Sequence, residues 1–169
     1  MLQVSAERHQ IILPEQRELY DYWRSKCADG KIPTREDINP VDIAQFLPTL
    51  SLVQPVGEGD ARRYQYRLAG TKFWDVYRRE ITGDYIDNLP EGSRRDYWAR
   101  VLSRVIERAH PSAGVQRMAM SGRTHMAQFW VRLPLASDGV NVDMILGFDK
   151  FVKLSEISNQ AVDNSKIYA

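Results

Sequence analysis

Apolar positions along the chain recur with a helical period in some stretches and with a strand period in others. Near the N-terminus Leu19, Tyr22, Trp23 and Cys27 stand at i, i+3, i+4 and i+8, one stripe of a helix. Pro14 suits the first turn of that helix, Glu15 and Glu18 complement the positive end of its dipole, and Asp29-Gly30 supplies a stop. A short second helix is expected from Thr34, with Asp37 three residues on, or from Asn39-Pro40 as N-cap and first turn. Ile43, Phe46 and Leu47 form its apolar side and Pro48 ends it. The most regular helix runs from about Ser93 to Ala109. There Tyr97, Val101, Leu102, Val105 and Ile106 oppose Arg95, Arg100, Arg104 and Arg108, and Trp98 flanks the stripe.

Between these helices residues 50–54 and 63–69 read as a hairpin, joined by the turn-rich Pro55-Val56-Gly57-Glu58-Gly59-Asp60. In its second strand Tyr64, Tyr66 and Leu68 alternate with Arg63, Gln65 and Arg67, a half-buried pattern. Residues 71–79 read as a short helix carrying Phe73, Trp74 and Tyr77. Three consecutive strands follow, at 115–120, 126–135 and 140–153, separated by the hairpin loops Ser121-Gly122-Arg123 and Ser137-Asp138-Gly139. The expected fold is therefore α+β: a five-stranded antiparallel sheet with helices on one face, preceded by N-terminal helices. Phe129, Val131 and Leu133 point one way and Trp130 the other, so the face away from the helices, where Trp130 is placed, needs a cover. The 19–27 helix is the candidate, supplied in cis or by a partner subunit. The expected division is a helical extension over 1–48, a core over 49–153 and a tail over 154–169.

Composition narrows the function classes. Of 169 residues 43% are hydrophobic and 27% charged, which fits a globular domain able to bury a core. Lys and Arg total 23 against 22 Asp and Glu, so the basic excess of a nucleic-acid binder is missing. The lone Cys27 excludes an intramolecular disulfide. Residues 1–12 carry Glu7, Arg8, His9 and Gln10 where a signal peptide needs an apolar stretch, and no apolar run approaches the ~20 residues of a membrane span. A cytoplasmic location without membrane contact is the expectation. There is no internal repeat and no low-complexity tract.

Two strands, short helices ending in a longer one, and three antiparallel strands together resemble the PAS fold. Local segments resemble a bacterial PAS-like family, common in alphaproteobacteria, of near-stand-alone domains. The matching stretches are Leu19-Tyr20-Asp21-Tyr22-Trp23; Ile32-Pro33-Thr34 through Asn39-Pro40 to Leu47-Pro48; Tyr66-Arg67-Leu68-Ala69-Gly70-Thr71; Ile81-Thr82-Gly83; and Leu133-Pro134-Leu135 followed by Val142-Asp143-Met144-Ile145-Leu146-Gly147. They cover roughly residues 15–151 in the family's order. The resemblance implies a sensory or interaction module with a pocket between sheet and helices, and it carries over no catalytic residue. With no output segment expected on the chain, the signal should pass by contact with a protein partner or a second copy, as a homodimer through the N-terminal helix or the sheet face.

Tyr64, Tyr66, Leu68, Phe73, Trp74, Tyr77, Trp98, Leu102, Met118, Met120, Phe129 and Phe148 are the candidate pocket residues, able either to line a small-molecule cavity or to fill a solid core. Haem is not expected: His110 precedes Pro111 at the end of the long helix, His125 sits at a hairpin turn and His9 lies near the terminus. Flavin photochemistry is not expected either, because Cys27 lies on the N-terminal helix. The pairs Arg62-Arg63, Arg78-Arg79 and Arg94-Arg95 each have a tyrosine nearby, as a phosphate or base site would, but acidic neighbours point to a solvated surface. Asp84 and Asp87 stand in no catalytic motif. The alternative is a small pocket enzyme of the isomerase or dehydratase kind. That would want polar side chains facing inward from the strands, and the inward positions read as apolar.

Overall fold

Five strands pair into a single antiparallel sheet of order β2-β1-β5-β4-β3, with the third at Ser112–Arg117 in place of 115–120 and the fifth beginning at Met144 in place of 140. The computed structural model describes residue 8 and residues 10–157; the readings made on residues 1–7, on His9 and on the tail from 158 lie outside them. Along the chain come α1 (Pro14–Lys26), β1 (Leu50–Val56), β2 (Arg63–Ala69), α2 (Phe73–Tyr77), α3 (Arg95–Arg108), β3 (Ser112–Arg117), β4 (Met126–Leu135) and β5 (Met144–Lys153). A six-residue 3-10 segment occupies Ala44–Thr49, and single 3-10 turns occupy Gly59–Ala61, Ile86–Asn88 and Leu154–Glu156. No helix among the described residues is long and apolar enough to cross a membrane.

Helices cover both faces of the sheet. The front face carries Val53, Tyr64, Tyr66, Trp130 and Ile145 and packs under α2 and α3. The back face carries Leu50, Val131, Leu133, Leu135, Leu146 and Phe148 and is covered in cis by Leu19, Tyr20 and Trp23 of α1. The assignment of Trp130 is thereby reversed: it is a front residue, 5.4 Å from the Trp98 ring, while Val131 and Leu133 are what α1 covers. A period of two tells which residues share a face, not which neighbour that face meets.

The buried stripe of α1 is also rotated. It consists of Gln16, Leu19, Tyr20 and Trp23, while Tyr22 and Cys27 are only half-buried. Gln16 belongs because its Nε2 donates to the Phe129 carbonyl at 3.0 Å, which satisfies both groups away from water. The stripe of α3 is Trp98, Val101, Leu102 and Val105, with Tyr97 and Ile106 at its margins.

Two expectations meet local chemistry that redirects them. Thr34 and Asp37 form the reciprocal bonds of a capping box, the Thr34 N–H to Asp37 Oδ2 at 2.8 Å and the Asp37 N–H to Thr34 Oγ1 at 3.3 Å. No helix follows, only turns and the 3-10 segment Ala44–Thr49. Alternation in β2 breaks at a bulge: Leu52 pairs with Leu68 but Val53 pairs with Tyr66, so Arg67 is the extra residue. Leu68 is shifted to the outside and is 40% exposed.

Candidate functional site

Eight of the twelve candidate residues meet in the front core: Tyr64, Tyr66, Phe73, Tyr77, Trp98, Leu102, Met118 and Met120. The other four do not. Phe148 lies on the back face against Phe46, and Phe129 is in a back-face cluster with Val115 and Ala127. Leu68 and Trp74, the latter 52% exposed, are on the surface. Rings fill the front core by edge-to-face contact, with Phe73 6.0 Å from both Tyr66 and Phe151 and stacked 6.4 Å from Tyr77.

The inward strand positions are not all apolar, which corrects the reading from alternation. Ser51, Gln116, Gln128, Arg132 and Asp149 are all buried, and on the front face they form a line across β1, β5, β4 and β3. Arg132 Nη2 meets Asp149 Oδ1 at 2.9 Å, with side chains 2% and 0% exposed. Gln128 Nε2 donates to the same carboxylate oxygen at 2.7 Å, and Gln116 Nε2 donates to Gln128 Oε1 at 2.8 Å. The Arg132 guanidinium lies 4.6 Å over the Trp98 ring, an additional cation–π contact. Asp149 Oδ2, Ser51 Oγ and Gln116 Oε1 have no hydrogen-bond partner among the described residues.

Register brings this pair together. Trp130 faces Asp149 and Arg132 faces Gly147, so Arg132 and Asp149 are diagonal neighbours on one face. Gly147 makes the room: a Cβ there would lie 2.5 Å from Ser51 Oγ and 3.0 Å from Arg132 Nη1. The sequence signal was Arg132, the one charge inside the otherwise apolar β4, and Asp149, an acid within β5 beside Lys150. An approach from outside also exists. Beyond Phe148, the last residue of β5 paired with β1, a cleft of about 450 Å³ opens between Ala44–Thr49, α2 and β5. It is lined by Thr49, Lys72, Phe151 and others and borders Asp149, whose side chain stays buried beneath it.

Burial pushes the Tyr66 and Tyr77 phenols well above the ordinary tyrosine range, and the nearby Arg132 only partly counters it. An acid whose pKa is raised on folding stabilises the fold below its unfolded pKa and loses that contribution as pH climbs above it. Stability should hold through the neutral range and fall once pH passes about 10, where unfolded tyrosine ionises. Ultraviolet absorbance and circular dichroism in parallel check this: part of the phenolate signal should appear only with unfolding. Ionisation of every tyrosine in a still-folded protein would contradict the burial.

The remaining sites are placed as follows. Arg63 is paired with Asp87 at 2.6 Å and stacks 3.9 Å over Tyr85, and Arg79 is paired with Asp84, so both arginines and both aspartates belong to surface ion pairs. Cys27 follows α1, its thiol donating to the Trp23 carbonyl at 3.6 Å with its pKa raised by burial. His110 lies just beyond α3, and His125 is an exposed residue preceding β4.

Comparison with known families matches residues 12–149 to a family described as PAS domain. The match takes in α1 as well as the sheet and its front helices. No curated protein matches the chain.

Proposed function

This chain belongs to the PAS domain family, a family of sensory and regulatory domains, and on that premise we propose that it is a regulatory binding domain gated by a small ligand held at Arg132 and Asp149. The observation that carries the reading is the orphaned Asp149 Oδ2 inside the front core, beside a charged pair that water does not reach. A buried acceptor without a donor is costly, and a ligand bringing one hydrogen-bond donor on a flat apolar body would satisfy it among the aromatic rings. Phe151, Lys72 and Thr49 mark the way in. A pocket enzyme would need the same polar interior, but here the acid is tied to both Arg132 and Gln128. That arrangement suits holding a ligand better than moving a proton. Occupancy is then read out through protein contact, with a partner or a second copy.

Trp98 joins the site to the long helix, because its ring lies 4.6 Å from the Arg132 guanidinium and 5.4 Å, edge to face, from the Trp130 ring. A ligand shifts a domain only through its different affinity for two states. Trp98→Leu, which keeps the site apolar, should therefore weaken ligand retention about tenfold and remove any ligand-dependent rise in melting temperature. The measurement is native mass spectrometry and thermal melting, with and without small-molecule extract from the expression host. Equal loss of stability in both conditions, with no retained mass in either protein, would reduce Trp98 to core.

A further inference from the structure

We propose that the trough between α3 and the outer edge of β3 docks an extended acidic polypeptide segment, which adds a strand to β3 and sets carboxylates against Arg100 and Arg104. The proposal names the partner class for the protein contact inferred above and rests on that reading. The two edges of the sheet differ. Residues 82–85 close the β2 edge: the Tyr66 N–H donates to the Asp84 carbonyl and the Gly83 N–H to the Tyr66 carbonyl. At β3 the Met118 N–H donates to Met126 in β4. In an antiparallel ladder successive residues point alternately to either side, so Ala113, Val115 and Arg117 direct N–H and C=O away from β4. No described residue bonds to them there. Such an edge is a template for another strand.

The space beside it fits a peptide. Two clefts of about 670 and 480 Å³ share Tyr97, Arg100 and Val115, so they run as one trough along β3. Gly114 leaves its floor open to the Trp130 ring, which a Cβ would approach to 2.6 Å. The indole is held in place by its Nε1 donating to Tyr97 Oη at 3.0 Å.

Charge selects the occupant, because Arg94, Arg95, Arg100 and Arg104 outnumber Glu91 and Asp96 along the trough. Arg100 and Arg104 are exposed, one helical turn apart, and have no ion-pair partner among the described residues, whereas Arg63 and Arg79 find aspartates. Like charges at this spacing oppose the helix, and carboxylates of a bound strand would reverse that. Gln116 adds an independent sign. It is 3% exposed, lines the trough, and its Oε1 has no partner among the described residues. Its Nε2 is engaged by Gln128, whose own Nε2 is engaged by Asp149, so the carboxylate orients the row of amides and leaves a buried acceptor in a residue that borders the trough.

Fluorescence anisotropy on the full chain tests this with labelled peptides of about six residues, the length of an ordinary strand. The set is alternating Glu and Val, alternating Lys and Val, and the acidic peptide N-methylated at every second amide. The acidic peptide should bind saturably and the basic one should not. N-methylation, which removes strand-pairing donors without touching the protein, should weaken binding at least tenfold, as should Arg100→Gln with Arg104→Gln. Equal binding of acidic and basic peptides, or indifference to N-methylation, overturns the proposal. So does self-association of the free chain that the double variant abolishes, since the occupant is then a second copy. Tighter binding of an oligonucleotide at the same arginines overturns it too. Failure here with ligand retention intact would leave the interior site standing.

Discussion

Asp149→Ala is expected to destabilise the domain by about 3–5 kcal/mol, the cost of leaving one member of a buried ion pair without the other. Arg132 would keep its bond to the Val131 carbonyl at 2.9 Å and its contact with the Trp98 ring, but lose its counter-charge. The side chain is 2% exposed and cannot reach water without displacing the aromatic rings above it. Gln128 would lose its acceptor as well and leave a second orphan. Replacing both charges, as Arg132→Met with Asp149→Leu, should restore most of the loss, because two apolar groups of similar volume need no solvation. Urea denaturation gives the comparison directly. A single variant within about 1 kcal/mol of the parent, the range of an exposed pair, would mean that solvent reaches the guanidinium. The double variant also separates fold from function: it should be stable and should retain no ligand.

Trp23→Ala should cost a similar amount, about 3–5 kcal/mol, for a different reason. Trp23 is 1% exposed and sits on the back face of the sheet, its Nε1 donating to the Pro134 carbonyl at 2.9 Å. Truncation leaves a cavity over Val131, Leu133 and Leu135 and removes that bond. Deleting residues 1–30 goes further, baring the back-face side chains that Leu19, Tyr20 and Trp23 cover and leaving only Ile38, Ile43 and Phe46 against that face. That protein should aggregate or fail to fold. Light scattering and thermal melting read both variants. A truncated chain that stays monodisperse and melts at the parental temperature would show that α1 is no part of the cooperative unit.

The two predictions bracket what could be read early and what could not. Element type, order and much of the boundary placement follow from periods in the chain: β2 and β4 begin and end where alternation and flanking loops put them, and Pro14 opens α1. The need for a cover over the back face also followed, because strands apolar on both sides cannot leave one bare. Periodicity is local, and so it carries this much. It carries no sign for which face meets which helix, hence the reversal of Trp130 and the misplacing of Phe129 and Phe148. It does not foresee a bulge, hence Leu68. Arg132 and Asp149 stand at inward positions that the alternation reads as apolar, because a charge is expected in water unless it is paired. Only the register of β4 against β5, with the missing side chain at Gly147, brings two residues 17 apart in sequence to within 2.9 Å. Helices, strands and their apolar stripes were thus determined by the sequence itself, through interactions spanning a few residues. The charged centre of the domain was decided by the tertiary structure, because it exists only where distant strands meet.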